Sequence, residues 1–135
     1  MAMSFTYNDG QDKNGGSKGK IRTVIATWTS DADGDATGAT EKIVGYLLKG
    51  VTVPSNGPTA NYDITITDSD SANLLAGCAD DLADRHTTNT ETVHFLLDDG
   101  TAGIAAYPAV ASEITVTIAN AGNTKSGTLT LFYEA

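Results

Sequence analysis

Four stretches of this chain, residues 23–29, 62–67, 113–118 and 128–133, alternate apolar and polar side chains with a period of two. Successive side chains of a strand point to opposite faces, so each stretch carries one apolar face and one face lined mainly by threonine. Gly, Asn, Asp and Ser clusters separate them, and half-buried antiparallel strands joined by such turns form sandwiches or barrels. The pattern predicts an all-β chain: a single antiparallel β-sandwich, jelly-roll-like, with a flexible N-terminal arm.

At 135 residues the chain suits one domain. A domain of this size buries roughly two-thirds of its unfolded surface and needs neither disulfide nor metal to hold together. The single cysteine agrees, because one thiol forms no internal bridge. Cys78 stands among Leu74, Leu75, Ala76, Gly77 and Ala79 and reads as a buried small hydrophobe. A reactive thiol wants a cationic neighbour, for which His86 is the only nearby candidate.

The formal net charge is −9. Phosphate neutralisation needs clustered Lys and Arg, so nucleic acid is disfavoured as a partner, and an anionic membrane surface equally so. No stretch approaches the roughly 20 apolar residues of a membrane helix. Residues 1–7 lack a charged start and an apolar run, so no signal peptide is expected, and the chain is expected to stay in the cytoplasm or in an assembly built there. Charge is uneven along the chain. Residues 1–20 carry Lys13, Lys18 and Lys20 against Asp9 and Asp12, whereas residues 61–100 carry nine acids against Arg85 alone.

Residues 1–19 read as a flexible arm and residues 20–135 as the β-sandwich domain. The polar, glycine-rich run 8–19 has no periodicity with which to repay its ordering entropy. Phe5 and Tyr7 read as aromatic anchors at the end of this tether, with Lys13 and Lys18 as further partner-binding candidates. Strands are expected near 20–29, 41–53, 60–67, 91–97, 113–119 and 127–134, with a shorter one around 72–76 or 104–107. The apolar run 43–53 contains two glycines and several β-branched residues, which predicts a strand with a bulge. Residues 80–86 suggest one short helical turn with acidic residues at its start.

Candidate chemistry is sparse. Asp31-x-Asp33-x-Asp35 invites a calcium reading, but an EF-hand loop wants Gly at its sixth position and Glu at its twelfth, where Ala36 and Lys42 stand. A solvated hairpin loop is the favoured reading, and the same holds for Asp68-Ser69-Asp70. Zinc catalysis usually takes three protein ligands, and His86, His94 and Cys78 are the only nitrogen and sulfur donors of the usual kind. In a strand over 91–97, His94 and Leu96 share the outward face while Val93, Phe95 and Leu97 share the other. No Gly-x-Ser-x-Gly nucleophile elbow is present, and Ser17 in Gly16-Ser17-Lys18-Gly19 lacks the rest of a phosphate loop. Asp98-Asp99-Gly100 reads as a turn, because a paired-carboxylate hydrolase needs an aromatic-lined sugar cleft. Trp28 shares its face with Val24 and Ala26 and is expected in the core. No cofactor and no catalytic activity are expected.

The run Gly19-Lys20-Ile21-Arg22-Thr23-Val24-Ile25-Ala26-Thr27-Trp28-Thr29-Ser30-Asp31-Ala32-Asp33-Gly34, the run Thr40–Gly45 and the closing stretch 116–127 resemble small virion structural proteins of tailed bacteriophages. Within that group the size, acidic body and N-terminal arm are similar to capsid decoration (cement) proteins. The resemblance implies a chain on the capsid exterior of a virion assembled in the host cytoplasm, with the major capsid protein as partner and self-association as a homotrimer. Residues 101–110, apolar yet irregular, read either as a self-contact or as a buried loop covering one end of the sandwich. A phage neck or head–tail adaptor, or a carbohydrate-binding β-sandwich module, is the alternative. A sugar site would draw on Tyr46, Tyr62, Tyr107 and Tyr133.

Overall fold

The computed structural model describes residues 2–9, 19–76, 78, 80–97 and 106–135. They form nine strands: β1 (Ala2–Asn8), β2 (Ile21–Thr29), β3 (Ala36–Ala39), β4 (Ile43–Pro54), β5 (Asp63–Thr67), β6 (Glu91–His94), β7 (Ala109–Ser112), β8 (Thr115–Ala119) and β9 (Ser126–Glu134). One sheet runs β1-β2-β9-β4-β6, with β7 beside the first half of β4, and the other runs β3-β8-β5. Every pairing is antiparallel.

The connectivity is that of a jelly roll. β2 pairs β9, β3 pairs β8, and β4 pairs β6 and β7, so the chain is one long hairpin rolled over itself. The fourth rung is the stretch 82–85, which runs back along β5. Arg85 bridges Tyr62 and donates its N–H to the Tyr62 carbonyl at 2.7 Å, and the Ile64 N–H donates to the Leu82 carbonyl at 3.1 Å. Residues 80–86 therefore form no helical turn. Their N–H and C=O groups pair with residues 61–64 in an extended strand-like arrangement, and the buried Leu82 side chain joins the core.

The alternation of the sequence maps directly onto the sandwich interior. Val24, Ala26 and Trp28 of β2 and Leu129, Leu131 and Tyr133 of β9 face inward, opposite Ile64 and Ile66 of β5 and Val116 and Ile118 of β8. Strand β4 needs a correction to stay in step over twelve residues. Its pairing with β9 shifts between Leu47 and Lys49, so inward positions change from Ile43 and Leu47 to Gly50 and Thr52. This is the bulge expected from the sequence, and it keeps one face of the strand in the core on both sides of the irregularity.

Two loops at one end are fastened together. Ser30, fully buried, donates its hydroxyl to the Gly122 carbonyl at 2.5 Å and accepts the Lys125 N–H at 2.8 Å. The Ala121 N–H donates to the Gly34 carbonyl at 2.9 Å. Gly34 has φ +89°, and a Cβ there would stand 2.7 Å from the Gly122 nitrogen, so glycine is required by both backbone conformation and space.

The arm expected over residues 1–19 is corrected for its first part. Residues 2–8 form β1, the end strand of the larger sheet, paired residue by residue with β2 from Ala2↔Thr29 to Asn8↔Thr23. The cause is legible after the fact. Met3, Phe5 and Tyr7 alternate with Ser4 and Thr6, so this stretch has the same period-two pattern as the core strands. Residues 10–18, including Lys13 and Lys18, lie outside the described residues.

Candidate interaction surface

The strands that bury one face in the sandwich present the other as a broad outer table on the larger sheet. Register fixes its rows. Thr6, Ile25, Thr130, Val51 and Thr92 stand side by side across five strands, and the next row is Asn8, Thr23, Phe132, Lys49 and His94. This centre mixes threonines with Ile25, Val51 and Phe132, and the Lys49 ammonium sits 4.6 Å from the Phe132 ring centroid in a cation–π contact.

The table changes character towards one end. Ile21, Glu134, Tyr46 and Ala109 form one cross-strand row, and Val44 and Ala111 pair in the row beyond it. Here the large apolar side chains are open to solvent: Val44 is 56% exposed, Tyr46 55% and Ile21 50%. Tyr107 is 41% exposed and precedes Pro108, whose carbonyl accepts the Leu47 N–H at 2.8 Å and carries the β7 edge further along β4. Four of the seven large apolar residues exposed among the described residues are thus Ile21, Val44, Tyr46 and Tyr107; Val44 and Tyr46 neighbour each other on the outer face of β4, and Ile21 lies across Glu134 from Tyr46. Concentrated exposure of this kind, unlike scattered single residues, marks interaction surfaces.

The structure places the sequence-derived candidates as follows. Phe5 lies on the inward side of β1, partly buried against the core, with its ring beside Gly38 of β3. Tyr7 is 39% exposed, and its hydroxyl accepts the Glu41 N–H at 2.8 Å. Phe5 therefore ties β1 to the second sheet, and Tyr7 ties it to the connection between β3 and β4. The first four residues of the 101–110 segment, and Ala105, lie outside the described residues; Ala106, Tyr107 and Ala109 are exposed.

The acidic loops hold themselves. Asp31 Oδ1 accepts the N–H groups of Asp33 at 2.9 Å and Asp35 at 3.0 Å, and these backbone donors, that of Asp35 foremost, pull the Asp31 carboxyl below its ordinary range. Asp68 Oδ1 does the same for Asp70 at 2.9 Å and Ala72 at 3.0 Å. His86 is a turn acceptor too, taking the N–H groups of Thr88 and Asn89 on Nδ1. His94 stands apart on the outer table beside Lys49. Among the described residues no group of three His, Cys, Asp or Glu is disposed to hold a metal ion. Cys78 is partly buried, and burial, with a smaller contribution from Asp81, pushes its thiol pKa up, away from the reactive thiolate.

A cavity of about 300 Å³ opens beside β5, lined by Asp63, Thr65, Asn73, Asp81 and aliphatic neighbours including Leu75 and Ala83. Its carboxylates bind the chain itself. Asp63 accepts the Asp84 N–H and the Asn120 amide, each at 3.0 Å, and Asp81 accepts the Ala83 N–H at 3.0 Å.

No family model and no curated protein matches the chain. Among solved structures, a cupin domain from Bordetella pertussis Tohama I aligns over 98% of this chain and 94% of its own, at 12% identity and a TM-score of 0.33. A superposition that loose carries no functional inference. The β-sandwich stands on its own strand pairing.

Proposed function

We propose that this chain is a non-catalytic binding module, a capsid decoration (cement) protein of a tailed bacteriophage. It clamps neighbouring major capsid protein subunits from the outside through the Ile21–Val44–Tyr46 end of the larger sheet. The observation that carries this reading is the exposure of large apolar side chains there, Val44, Tyr46 and Ile21 each being at least half exposed. The resemblance of runs 19–34, 40–45 and 116–127 to small phage virion proteins supports the choice of the major capsid protein as partner. Asp31, Asp68, Asp81 and Asp63 each accept backbone N–H groups of their own loops or neighbours, which supports a role in shape for these four carboxylates.

A module of this kind stabilises a shell by mass action, binding the assembled state and not its free subunits. Each copy needs only modest affinity, because many copies on one lattice act together. Self-association as a trimer at the shell surface fits the same face, since Tyr107 and Ala109 continue the apolar patch onto the β7 edge.

The test is co-sedimentation with empty, expanded capsids of a tailed phage whose genome encodes the chain, followed by heating of the decorated particles. Saturable binding with a raised shell-disruption temperature is expected. Absence of binding to both expanded and unexpanded shells would overturn the proposal. Two of the exposed tyrosines, Tyr46 and Tyr107, favour a carbohydrate-binding module as the second reading; selective retention of the protein on a glycan array would establish it instead.

A further inference from the structure

Among the described residues, three polar atoms in the middle of the sandwich have no hydrogen-bond partner of good geometry: Trp28 Nε1, Thr52 Oγ1 and Tyr62 OH. Each belongs to a side chain at most 1% exposed, so bulk water does not reach them. Buried polar groups are almost always hydrogen-bonded, and three orphans in one small core would cancel a large share of a domain's net stability. They are also neighbours. The Trp28 and Tyr62 rings lie 5.5 Å apart, tilted by 49°, and the Thr52 hydroxyl is near enough to that of Tyr62 to act on it, a smaller influence than burial or Arg85. Trp28 reaches this point because Gly127, its partner on β9, has no side chain. The indole lies across it, with Cε2, the carbon bonded to Nε1, 3.2 Å from where a Cβ would be, and Gly127 pairs with Pro54, two residues after Thr52.

We infer that these three groups form an internal water-binding site between the two sheets. The indole N–H only donates, whereas the two hydroxyls donate and accept, so one water suits the set: it accepts from Trp28 and bonds both hydroxyls. Three hydrogen bonds is the usual complement of a buried structural water. The site sits where the larger sheet, through Trp28 and Thr52, meets the residue that leads into β5 of the smaller one. The water therefore links the sheets at a point where side-chain packing alone leaves polar groups unmatched. The inference is independent of the capsid reading.

A high-resolution crystal structure of the free protein, with water ¹⁷O relaxation dispersion on wild type and on Thr52→Val, tests it. Thr52→Val keeps the shape of the side chain and removes one ligand of the water. The expected result is an ordered water within hydrogen-bond distance of Trp28 Nε1, Thr52 Oγ1 and Tyr62 OH, and one fewer long-lived water in the variant. A dry site, with the three groups paired to one another or to other protein atoms, would overturn it, as would an unchanged count of long-lived waters in a folded Thr52→Val protein. Should Thr52→Val fail to fold, Tyr62→Phe supplies the same comparison.

Discussion

Asp31 positions Asp35: its Oδ1 accepts the Asp35 N–H at 3.0 Å while also accepting that of Asp33. One carboxylate oxygen thus holds the turn between β2 and β3 in the shape that lets Gly34 meet the 120–125 loop. What looks in the sequence like the start of a calcium loop is a backbone cap.

Removing that cap acts in acid. The Asp31 carboxyl is held below the ordinary carboxylate range in the fold, chiefly by the Asp35 N–H, so the native state favours the carboxylate. Its contribution is present above the unfolded pKa and is lost as pH falls through the native one. Thermal unfolding monitored from pH 6 down to about pH 2 should therefore show a steeper acid decline for wild type than for Asp31→Asn. Calcium should leave the wild-type melting temperature unchanged, and a calcium-dependent rise abolished in the Asn variant would show a metal site instead.

Tyr62 governs the alkaline side. Burial raises its hydroxyl to about 12, and the nearby Arg85 only partly offsets this. The unfolded tyrosine ionises near 10 while the native one stays protonated, so stability is constant up to that pH and falls as pH rises from about 10 towards 12. Tyr62→Phe should flatten this decline in denaturant titrations at pH 9 and 11. Equal pH dependence of the two proteins would show that Tyr62 ionises normally.

The N-terminal strand should be a stabilising part of the domain. Met3 and Phe5 pack on the core and on Gly38, and seven residues pair with β2. Deleting residues 2–8 should lower the melting temperature clearly, and Phe5→Ala alone should cost about 1–3 kcal/mol, less than a fully buried Phe because the ring is only partly covered. Calorimetry of the two variants checks this, and an unchanged melting temperature would return residues 2–8 to the role of a tether.

Period-two alternation made the interior legible. It placed Trp28 with Val24 and Ala26, Ile64 with Ile66, and Val116 with Ile118, and it separated His94 and Leu96 from Val93 and Phe95. It failed where local pattern does not decide. Strands β3 and β7 are four residues long and rich in Ala, Gly and Ser, so neither carries a contrast between faces. β1 shows the alternation, but the glycine-rich run after it masked the signal. The rung at 82–85 is held by backbone bonds to β5, which leave no trace in composition. The exposed patch was hidden for a further reason. β4 is apolar on both faces, and only the bulge and its register with β9 and β7 show that Val44 and Tyr46 point away from the core.

The central claim is that the Ile21–Val44–Tyr46 end of the larger sheet is the surface that grips a capsid. Val44→Asp and Tyr46→Asp together put charge where burial of each side chain would contribute roughly 1.5–3 kcal/mol, while leaving the core untouched. With tenfold in affinity for each 1.4 kcal/mol, the double variant should bind expanded shells at least a hundredfold more weakly at an unchanged melting temperature. A quantitative binding isotherm on those shells is the direct measurement. Loss of occupancy with the fold intact is the predicted result, and an isotherm indistinguishable from wild type would contradict the account.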